Sequence, residues 1–368
     1  MPGKLRVLMT ADTVGGVWTY AMELARALAD RAEISVATMG APLSAAQRAA
    51  AMEANVHVCE SGFRLEWMED PWNDIAAAGD WLLDLESRLH PRLIHLNNFA
   101  HGSLPWRAPS VMVGHSCVCS WWEAVHGRTA PAEWDRYRAA VGEGLRAASV
   151  VVAATGAMLR SLERFYGPLR DARVVPNGVD ASHFAPAVKE PFILSAGRLW
   201  DDAKNIRRLA EIAPLLPWPV YVAGDMRSPD GHECAIDNVR TLGFVDRPQL
   251  ARWMGRAGIY VLPARYEPFG LTVLEAALSG CAPVIGDIPS LREIWADAAW
   301  YVAPDDAAGL RDAIELLIQD EEERTRLAQR ARTRGALFSL QRMADEYWDL
   351  YTELVGIGLK SFRRRCKL

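Results

Sequence analysis

Two basic residues stand where a strand-like segment passes into a helix-like one. Gly197-Arg198-Leu199 follows an apolar run, and Lys204 comes six residues after the arginine. Two cations at the lip of a cleft can hold a diphosphate and neutralise the charge that grows on a departing nucleotide. The pattern predicts leaving-group catalysis by protein cations. A surface pair with solvated ends is the alternative that these residues leave open.

Two glutamates flank a Pro-x-Gly turn in the second half of the chain. Glu267 precedes a predicted helix, and Glu275 lies more than one turn inside it. The turn presents backbone N–H groups at a helix N-terminus, which suits an anion or a hydroxyl. A carboxylate in a run as apolar as 271–281 is costly unless it has a partner, such as the hydroxyl pair of a ribose. The glutamates predict a ligand site, with a structural ion pair as the alternative.

A glycine pair follows the first predicted strand and opens a helix. Gly15 and Gly16 would let the backbone approach a ligand closely, and the helix N-terminus offers unpaired N–H groups to a phosphate. The spacing is not G-x-G-x-x-G, and no suitably placed acidic residue follows a second strand, which argues against a dehydrogenase. A tight turn that needs glycine only for its conformation is the alternative.

A histidine and two tryptophans follow the fifth predicted strand of the first half. His115 ends that strand in GHSCVCSWW, where it could face a ligand or serve as a satisfied core histidine. Trp121 and Trp122 could stack on a sugar acceptor. Packing in a core or an interface is equally open for them, because the chain has 14 Trp.

Short apolar runs that alternate with helix-length segments must position these residues. Runs that are apolar on both faces are typical of parallel strands, and the alternation restarts after a segment broken by two prolines. Ligands of such sheets bind beyond the carboxyl ends of the strands, so a site is expected in a cleft between two doubly wound α/β domains. In the second half, helices are predicted near 203–214, 247–256, 271–279 and 306–319. The predicted bounds are 1–180 for the first domain, 181–190 for the linker, 191–335 for the second domain, and 336–368 for a C-terminal helix that packs back on the first domain and carries a basic tail.

Composition excludes several classes of protein. The 368 residues are 50% hydrophobic and 24% charged, as in globular proteins, and the net charge of −5 argues against nucleic acid as a partner. The six cysteines do not form a zinc pattern and fit reduced thiols in the cytosol. No signal peptide and no window of membrane-spanning length is recognised. A basic tail could touch an anionic membrane surface, although a solvated terminus is favoured; its residues are Lys360, Arg363, Arg364, Arg365 and Lys367.

Taken together, these motifs resemble the retaining glycosyltransferases of the GT-B fold, in particular family four, which includes sucrose-phosphate synthases and phosphatidylinositol mannosyltransferases. Glu267 and Glu275 form the E-x7-E motif of that family. The resemblance covers nearly the whole chain, and its other motifs are GGVWTYAMELARAL, PNGVD, GRL with Lys204, GFV and EPFGLTVLEAALSGCAPVIG. Two departures limit it: the segment 287–293 lacks the usual glycine pair, and the first domain lacks the basic character of many membrane-associated relatives.

The resemblance implies a role for each site residue. Arg198 and Lys204 would hold the diphosphate, Glu275 the ribose, and Glu267 the donor sugar, while His115 would orient the donor or stabilise the developing cation. The catalytic set is Arg198, Lys204, Glu267 and His115. The donor-binding set is Gly15, Gly16, Arg198, Lys204, Phe244, Val245, Glu267, Phe269, Gly270, Leu271, Thr272 and Glu275, with Trp121 and Trp122 on the acceptor side.

The implied activity is transfer of a sugar, typically a hexose in such enzymes, from a nucleoside diphosphate sugar to a hydroxyl acceptor with retention of configuration. The donor would be a UDP or GDP sugar. The chain has no D-x-D triplet, so no metal and no cofactor are expected. A cytoplasmic enzyme of polysaccharide or glycoconjugate biosynthesis is predicted, with contact to the inner membrane surface through the tail left open. The alternatives are a sugar-nucleotide-binding subunit without turnover and a sugar-nucleotide epimerase.

Overall fold

The structure is a computed structural model that describes residues 3–227, 231 and 234–356. The five basic tail residues from Lys360 to Lys367 lie outside the described residues. Two separate parallel sheets, of seven and six strands, carry the described chain. They confirm the predicted pair of doubly wound α/β domains. None of the helices in the described ranges is long and apolar enough to cross a membrane.

The first sheet has the strand order β3-β2-β1-β4-β5-β6-β7, and every pairing in it is parallel. Its inner strands are almost wholly buried because helices cover both faces, which explains their continuous apolar runs. The strands are β1 (Leu5–Asp12), β2 (Ala32–Met39), β3 (His57–Glu60), β4 (Leu93–Leu96), β5 (Ser110–Gly114), β6 (Val150–Ala153) and β7 (Ala172–Val174). The helices are α1 (Gly16–Leu28), α2 (Ala45–Glu53), α3 (Trp72–Leu89), α4 (Val118–His126), α5 (Asp135–Ala147) and α6 (Gly156–Tyr166).

The second sheet has the order β10-β9-β8-β11-β12-β13, again entirely parallel. The strands are β8 (Glu190–Ala196), β9 (Val220–Ala223), β10 (Arg240–Gly243), β11 (Ala257–Leu262), β12 (Ala282–Gly286) and β13 (Trp300–Val302). The helices are α7 (Ile206–Ile212), α8 (Arg247–Arg256), α9 (Leu271–Leu278), α10 (Pro289–Trp295), α11 (Ala307–Gln319) and α12 (Glu321–Gly335).

One predicted helix differs from the structure at the site. The segment predicted as a helix near 203–214 begins with a 3-10 turn, Asp202–Lys204, and α7 starts only at Ile206. Asn205 between them has a positive φ of 56°, and its side-chain amide donates to the Pro263 and Pro304 carbonyls at 2.9 and 2.8 Å. Lys204 therefore ends a turn that is tied to the neighbouring strand β11 and does not lie on a regular helix.

The C-terminal helix α13 (Leu340–Leu354) returns to the first domain. A bridge between Val179 and Ser339 brings the chain back across the connection between the sheets. The buried side chains of α13, including Met343, Tyr347 and Tyr351, belong to the hydrophobic cluster of α1 and β1. The helix therefore completes the core of the first domain.

In both sheets the strand order reverses at one point, between β1 and β4 in the first and between β8 and β11 in the second. The carboxyl ends of strands at such a point open a crevice in which α/β proteins bind ligands. Asp12 ends β1 and Asn97 follows β4, while Arg198 follows β8 closely and Glu267 comes a few residues after β11. The two reversal points thus supply the polar residues of both domains to one cleft.

Candidate functional site

An ion pair between Lys204 and Glu267 lies in the wall that the second domain gives to the cleft. Lys204 Nζ is 2.7 Å from Glu267 Oε2, and their side chains are only 13% and 15% exposed. The second carboxylate oxygen, Oε1, accepts from the amides of Phe269 and Gly270 at 3.3 and 2.9 Å. Burial alone raises the pKa of Glu267, but the ammonium and the two amides outweigh it and lower the pKa below its ordinary value. The Glu267 carboxylate is therefore ionised in this pair.

The amides at the start of α9 differ from the expectation in one respect. The sequence predicts that they are available to an anion or a hydroxyl of a ligand, but those of Phe269 and Gly270 donate to Glu267 in this structure. Gly270 has a φ of 90°, which places it in the left-handed region that favours glycine and lets the chain turn back toward the carboxylate.

Arg198 forms a second ion pair in the same wall, with Asp201. Its Nη2 donates to Asp201 Oδ2 at 2.8 Å, and its guanidinium lies over the Trp200 ring with 5.2 Å from Cζ to the centroid. The arginine side chain is 41% exposed, whereas that of Asp201 is 3% exposed. Burial alone would raise the pKa of Asp201, but the charges of Arg198 and Lys204 lower it. A buried carboxylate thus anchors an arginine that still reaches the cleft.

Glu275 belongs to an ion network that joins the two domains. Its Oε1 is 3.3 Å from Arg247 Nε, and Arg247 Nη1 donates to Glu23 of α1 at 2.8 Å. Glu23 also accepts from Arg26, on the same helix, at 2.8 Å. Burial raises the pKa of Glu275 to about 7 although Arg247 opposes that shift. Glu275 therefore titrates near neutral pH, unlike Glu267.

The glycine pair of the first domain faces the second domain. A Cβ atom at Gly15 would lie 3.4 Å from Arg198 Nη1, and one at Gly16 would lie 3.9 Å from the Leu271 side chain. Gly15 has a φ of 91°. The predicted phosphate loop thus meets the predicted diphosphate arginine across the cleft, and a side chain at Gly15 would be strained by the positive φ.

His115 is held by a buried network in the wall that the first domain gives to the cleft. Its Nε2 is 2.8 Å from Asn97 Oδ1, and the Asn97 amide nitrogen donates to the Thr10 carbonyl at 2.7 Å. Because Oδ1 carries no hydrogen, His115 must donate through Nε2, which leaves Nδ1 as the unprotonated nitrogen. Burial lowers the pKa of His115 to about 4, so the ring is neutral at physiological pH.

The network continues from Asn97 to the C-terminal helix. His95 Nε2 is 3.3 Å from Asn97 Oδ1, and His95 Nδ1 is 2.6 Å from the Tyr351 hydroxyl. Burial, aided by the nearby His115, lowers the pKa of His95 to about 3. Tyr20 OH lies 3.4 Å from the same His95 Nε2. Through Tyr351 and His95, helix α13 thereby supports Asn97, the residue that orients His115.

The remaining residues of the predicted donor-binding set have different environments. Phe244 is 79% exposed, and Val245 packs on the core of the second domain. The Phe269 ring is buried edge-on against Phe338, so only its backbone is near the site. Thr272 and Leu271 occupy the first turn of α9.

The two candidate acceptor tryptophans have different environments. Trp122 packs on the core of the first domain, whereas Trp121 Nε1 donates to Asp201 Oδ1 across the cleft at 2.9 Å. The structure therefore brings Trp121 to the site through its N–H group and leaves Trp122 against the core.

Further contacts join the domains beside the site. The Tyr266 hydroxyl accepts from Cys117 N and Ser120 Oγ of the first domain at 3.2 and 2.9 Å. The segment 287–293, which departs from the family pattern, supplies Glu293, whose carboxylate accepts from the first two amides of α6 at 2.6 and 2.9 Å. These contacts hold the cleft walls together.

Sequence reasoning missed several polar residues of the site, namely Asp201, Asn97, His95, Arg247 and Glu23. Asn97 could have been noticed because it directly follows a buried strand, and Asp201 because it comes three residues after Arg198. Arg247 and Glu23 lie in helices of different domains and carry no local signal. The described residues contain no group of three or more His, Cys, Asp or Glu side chains that could hold a metal ion.

Comparisons with known proteins agree with this geometry. The family model "Glycosyltransferase Family 4" matches residues 14–183, and the model "Glycosyl transferases group 1" matches residues 180–334. The two matches follow one another along the chain, and their boundary falls on the connection between the sheets. Together they include both walls of the cleft.

Among curated relatives, the D-inositol 3-phosphate glycosyltransferase of Xylanimonas cellulosilytica is 27% identical over 388 aligned positions, which cover 92% of each chain. The glycogen synthase of Mycobacterium tuberculosis is 29% identical over 209 residues, 52% of this chain. The match spans only about half of that relative's own length, 50%.

Solved structures share the fold over almost the whole chain. The sucrose-phosphate synthase of Thermosynechococcus elongatus superposes with a TM-score of 0.83 at 18% identity and covers 96% of this chain and 100% of its own. Anabaena HepE in complex with UDP and glucose gives a TM-score of 0.75 at 16% identity, with 95% and 100% covered. These findings confirm the resemblance drawn from the motifs: the chain belongs to the glycosyltransferases of the GT-B fold, of the family 4 and group 1 type.

Proposed function

We propose that the protein transfers a sugar from a nucleoside diphosphate sugar to a hydroxyl acceptor, with retention of anomeric configuration and without a metal ion. The observation that carries the proposal is the approach of the Gly15 loop to Arg198, in a wall where Arg198 and Lys204 both act on the buried Asp201. Two cations opposite a glycine turn match the charge and the bulk of a diphosphate.

The diphosphate would bind to the exposed part of the Arg198 guanidinium and to the ammonium of Lys204. Both groups are already oriented by carboxylates, so little ordering is needed when the ligand binds. As the bond from the sugar to the phosphate breaks, negative charge collects on the leaving oxygen. Fixed cations at that position stabilise the transition state more than the ground state, and this difference raises turnover.

The nucleoside would occupy the side of the cleft near Glu275. The buried carboxylate can accept hydrogen bonds from two ribose hydroxyls, and the exposed ring of Phe244 is available to border the base. A UDP or GDP sugar is the proposed donor. Related proteins provide examples of both bases: Anabaena HepE was solved with UDP, and a Komagataeibacter xylinus relative is named for its use of GDP-mannose.

Retention is proposed to occur without a covalent enzyme intermediate. The candidate nucleophile Glu267 is bound to Lys204 and to two amides, which lower its pKa and weaken it as a nucleophile. In the proposed step, the acceptor oxygen bonds to the anomeric carbon on the face from which the phosphate leaves. The bond to the phosphate breaks with its electron pair, and the acceptor proton passes to a phosphate oxygen. The neutral His115 would orient the donor sugar through its unprotonated Nδ1.

The first test is a thermal-shift panel with UDP-glucose, GDP-mannose, ADP-glucose, TDP-glucose and the free nucleotides. A ligand that binds only the folded protein raises the melting temperature by mass action. We expect one nucleotide class to raise it in the wild type and not in Arg198→Ala or Glu275→Ala. No shift with any ligand at millimolar concentration would contradict the proposal.

Turnover and stereochemistry test the finer statements. Release of free nucleotide from the selected donor distinguishes an enzyme from a binding subunit, and an α-linked product from an α-linked donor, seen by NMR, establishes retention. Excess EDTA is expected to leave the rate unchanged. Loss of activity that added Mg²⁺ or Mn²⁺ restores would contradict the metal-independent mechanism.

A further inference from the structure

Asp201 lies where the two domains meet and contacts both of them. Its Oδ2 accepts from Arg198 Nη2 at 2.8 Å, and its Oδ1 accepts from Trp121 Nε1 at 2.9 Å and from the Ala203 amide at 3.0 Å. The side chain is 3% exposed. One carboxylate thus joins the arginine of the second domain to an indole of the first.

The contact from Trp121 depends on how the two domains sit. An indole nitrogen is only a donor, so the hydrogen bond forms only when the ring presents its N–H to the carboxylate. The ring is held in α4 by edge contacts with Trp122 and His126, whose centroids lie 6.2 and 5.6 Å away. The indole therefore moves with the first domain, and the bond to Asp201 is made when the domains are together.

The contact to Arg198 determines where the guanidinium points. One nitrogen, Nη2, is fixed on Asp201, while the other, Nη1, faces Gly15 of the first domain. A partly exposed arginine has several rotamers, and holding it in one of them removes the entropy cost from the binding or reaction step. Asp201 and the glycine loop thus contact different nitrogens of the same guanidinium.

We propose that Asp201 is a positioning residue that orients Arg198 toward the donor diphosphate, and that Trp121 makes this orientation depend on the approach of the two domains. The inference rests on the proposed function and names the means by which domain approach completes the site. Neither residue needs to touch the substrate for this role. Trp121 would then act through its N–H group and not as a stacking platform for the acceptor.

The test compares Asp201→Asn, Trp121→Phe and the double variant, using hydrolysis of UDP-glucose and GDP-mannose together with calorimetric binding of UDP and GDP. Asp201→Asn keeps the size of the side chain but loses the charge that holds Arg198. We expect kcat to fall about tenfold with little change in nucleotide Kd, because the orientation of the guanidinium matters most in the transition state.

A purely electrostatic role would give the opposite result. Removing a negative charge beside a diphosphate site should tighten nucleotide binding and leave kcat unchanged, since the site would become more positive. That outcome in Asp201→Asn would overturn the inference. The proposed function would not be contradicted by that outcome, because the enzyme would remain active.

Trp121→Phe keeps an aromatic ring and removes only the N–H donor. We expect kcat to fall about threefold, with no further loss when the change is added to Asp201→Asn, because the indole acts through the carboxylate. Additive losses would overturn the coupling. Trp134→Phe is the matched control, since the Trp134 indole N–H in the same domain is buried without a hydrogen-bond partner.

Two further measurements distinguish a misfolded variant from a wrong inference. Melting temperatures of all variants check that the fold is intact, and Trp121→Phe carries the test if Asp201→Asn does not fold. A wild type that neither binds nor hydrolyses any nucleotide sugar would overturn the proposed function and this inference with it. An active wild type with unchanged kcat in both single variants would overturn this inference alone.

Discussion

The two walls of the cleft use opposite electrostatics. The wall from the second domain is built from charged pairs, Lys204 with Glu267 and Arg198 with Asp201. The wall from the first domain is a neutral network in which Asn97 connects His115 to His95. Both walls are largely buried, so the difference lies in whether each ionisable group has an oppositely charged partner.

The contrast between the two walls shows how burial acts on the charge of a side chain. A buried group keeps its charge where opposite charges and hydrogen bonds outweigh burial, as Lys204 and two amides do at Glu267. Where burial outweighs them, the pKa shifts so that the neutral form is favoured, as at Glu275 in spite of Arg247. The hydrogen-bond partner of His115 Nε2 is the uncharged amide oxygen of Asn97. Burial therefore lowers the pKa of His115 to about 4, and the ring is neutral. The charged wall suits a diphosphate, and the neutral wall suits the hydroxyls of a sugar.

The largest expected effect comes from breaking the charged wall at Lys204. In Lys204→Ala the leaving phosphate loses a cation and Glu267 becomes a buried, unpaired carboxylate. We expect kcat to fall roughly 10²- to 10³-fold, the range for loss of one group that stabilises transition-state charge. Steady-state donor hydrolysis measures it, with Arg311→Ala in an exposed surface pair as the control. A fall below threefold would show that Lys204 does not serve the leaving group.

The next effect comes from placing a charge in the neutral wall. Asn97→Asp puts a carboxylate beside His115 Nε2, which favours the imidazolium and should raise the pKa of His115 from about 4 toward neutrality. Proton NMR of the imidazole follows the titration. We expect kcat to fall roughly 10- to 100-fold, because in the imidazolium Nδ1 carries a proton and can no longer accept from the donor sugar. Asn55→Asp, on the surface, is the control, and an unchanged His115 pKa would contradict the assigned contact.

A smaller effect concerns Glu275, whose pKa is raised to about 7 by burial. The ionised carboxylate accepts both ribose hydroxyls, so nucleotide affinity should increase as pH rises from 6 to 8. Glu275→Gln should bind about tenfold more weakly at pH 8, from loss of charge-assisted hydrogen bonds, and nearly as well as the wild type at pH 6. Calorimetry at three pH values measures this. A parallel pH dependence in both proteins would assign the titration to another group.

The smallest effect is on stability, at a carboxyl of the first domain for which the described residues supply no cation partner. Glu66 accepts from the amides of Phe99 and Ala100, and burial raises its pKa from 4.5 to about 7. The folded state therefore binds this proton more tightly than the unfolded state, and the free energy of unfolding should fall as pH rises from 4.5 to 7. Urea denaturation of the wild type and Glu66→Gln at several pH values gives the slope of the free energy of unfolding against pH. This slope should be flatter in the variant. Identical slopes would mean that Glu66 stays ionised in the folded protein.

Much of the architecture and part of the site follow from the sequence because their signals are local. Apolar runs that alternate with helix-length segments require parallel strands covered on both faces, and the residues just after such strands must lie at a crevice. Arg198, Glu267 and the Gly15 loop were predicted on these grounds or through the resemblance. The start of α7 was misplaced because Asn205 is held by carbonyls of residues 58 and 99 positions away.

Tertiary structure alone decided which partners these residues have. Trp121 and Asp201 are 80 residues apart, Glu23 and Arg247 are 224 apart, and His95 and Tyr351 are 256 apart. The types of groups that enter the cleft, and the strands that place them there, could be read from the amino-acid sequence. Their charge states and orientations depend on burial and on contacts between distant segments, and these arise only when the two domains and the returning helix α13 pack together.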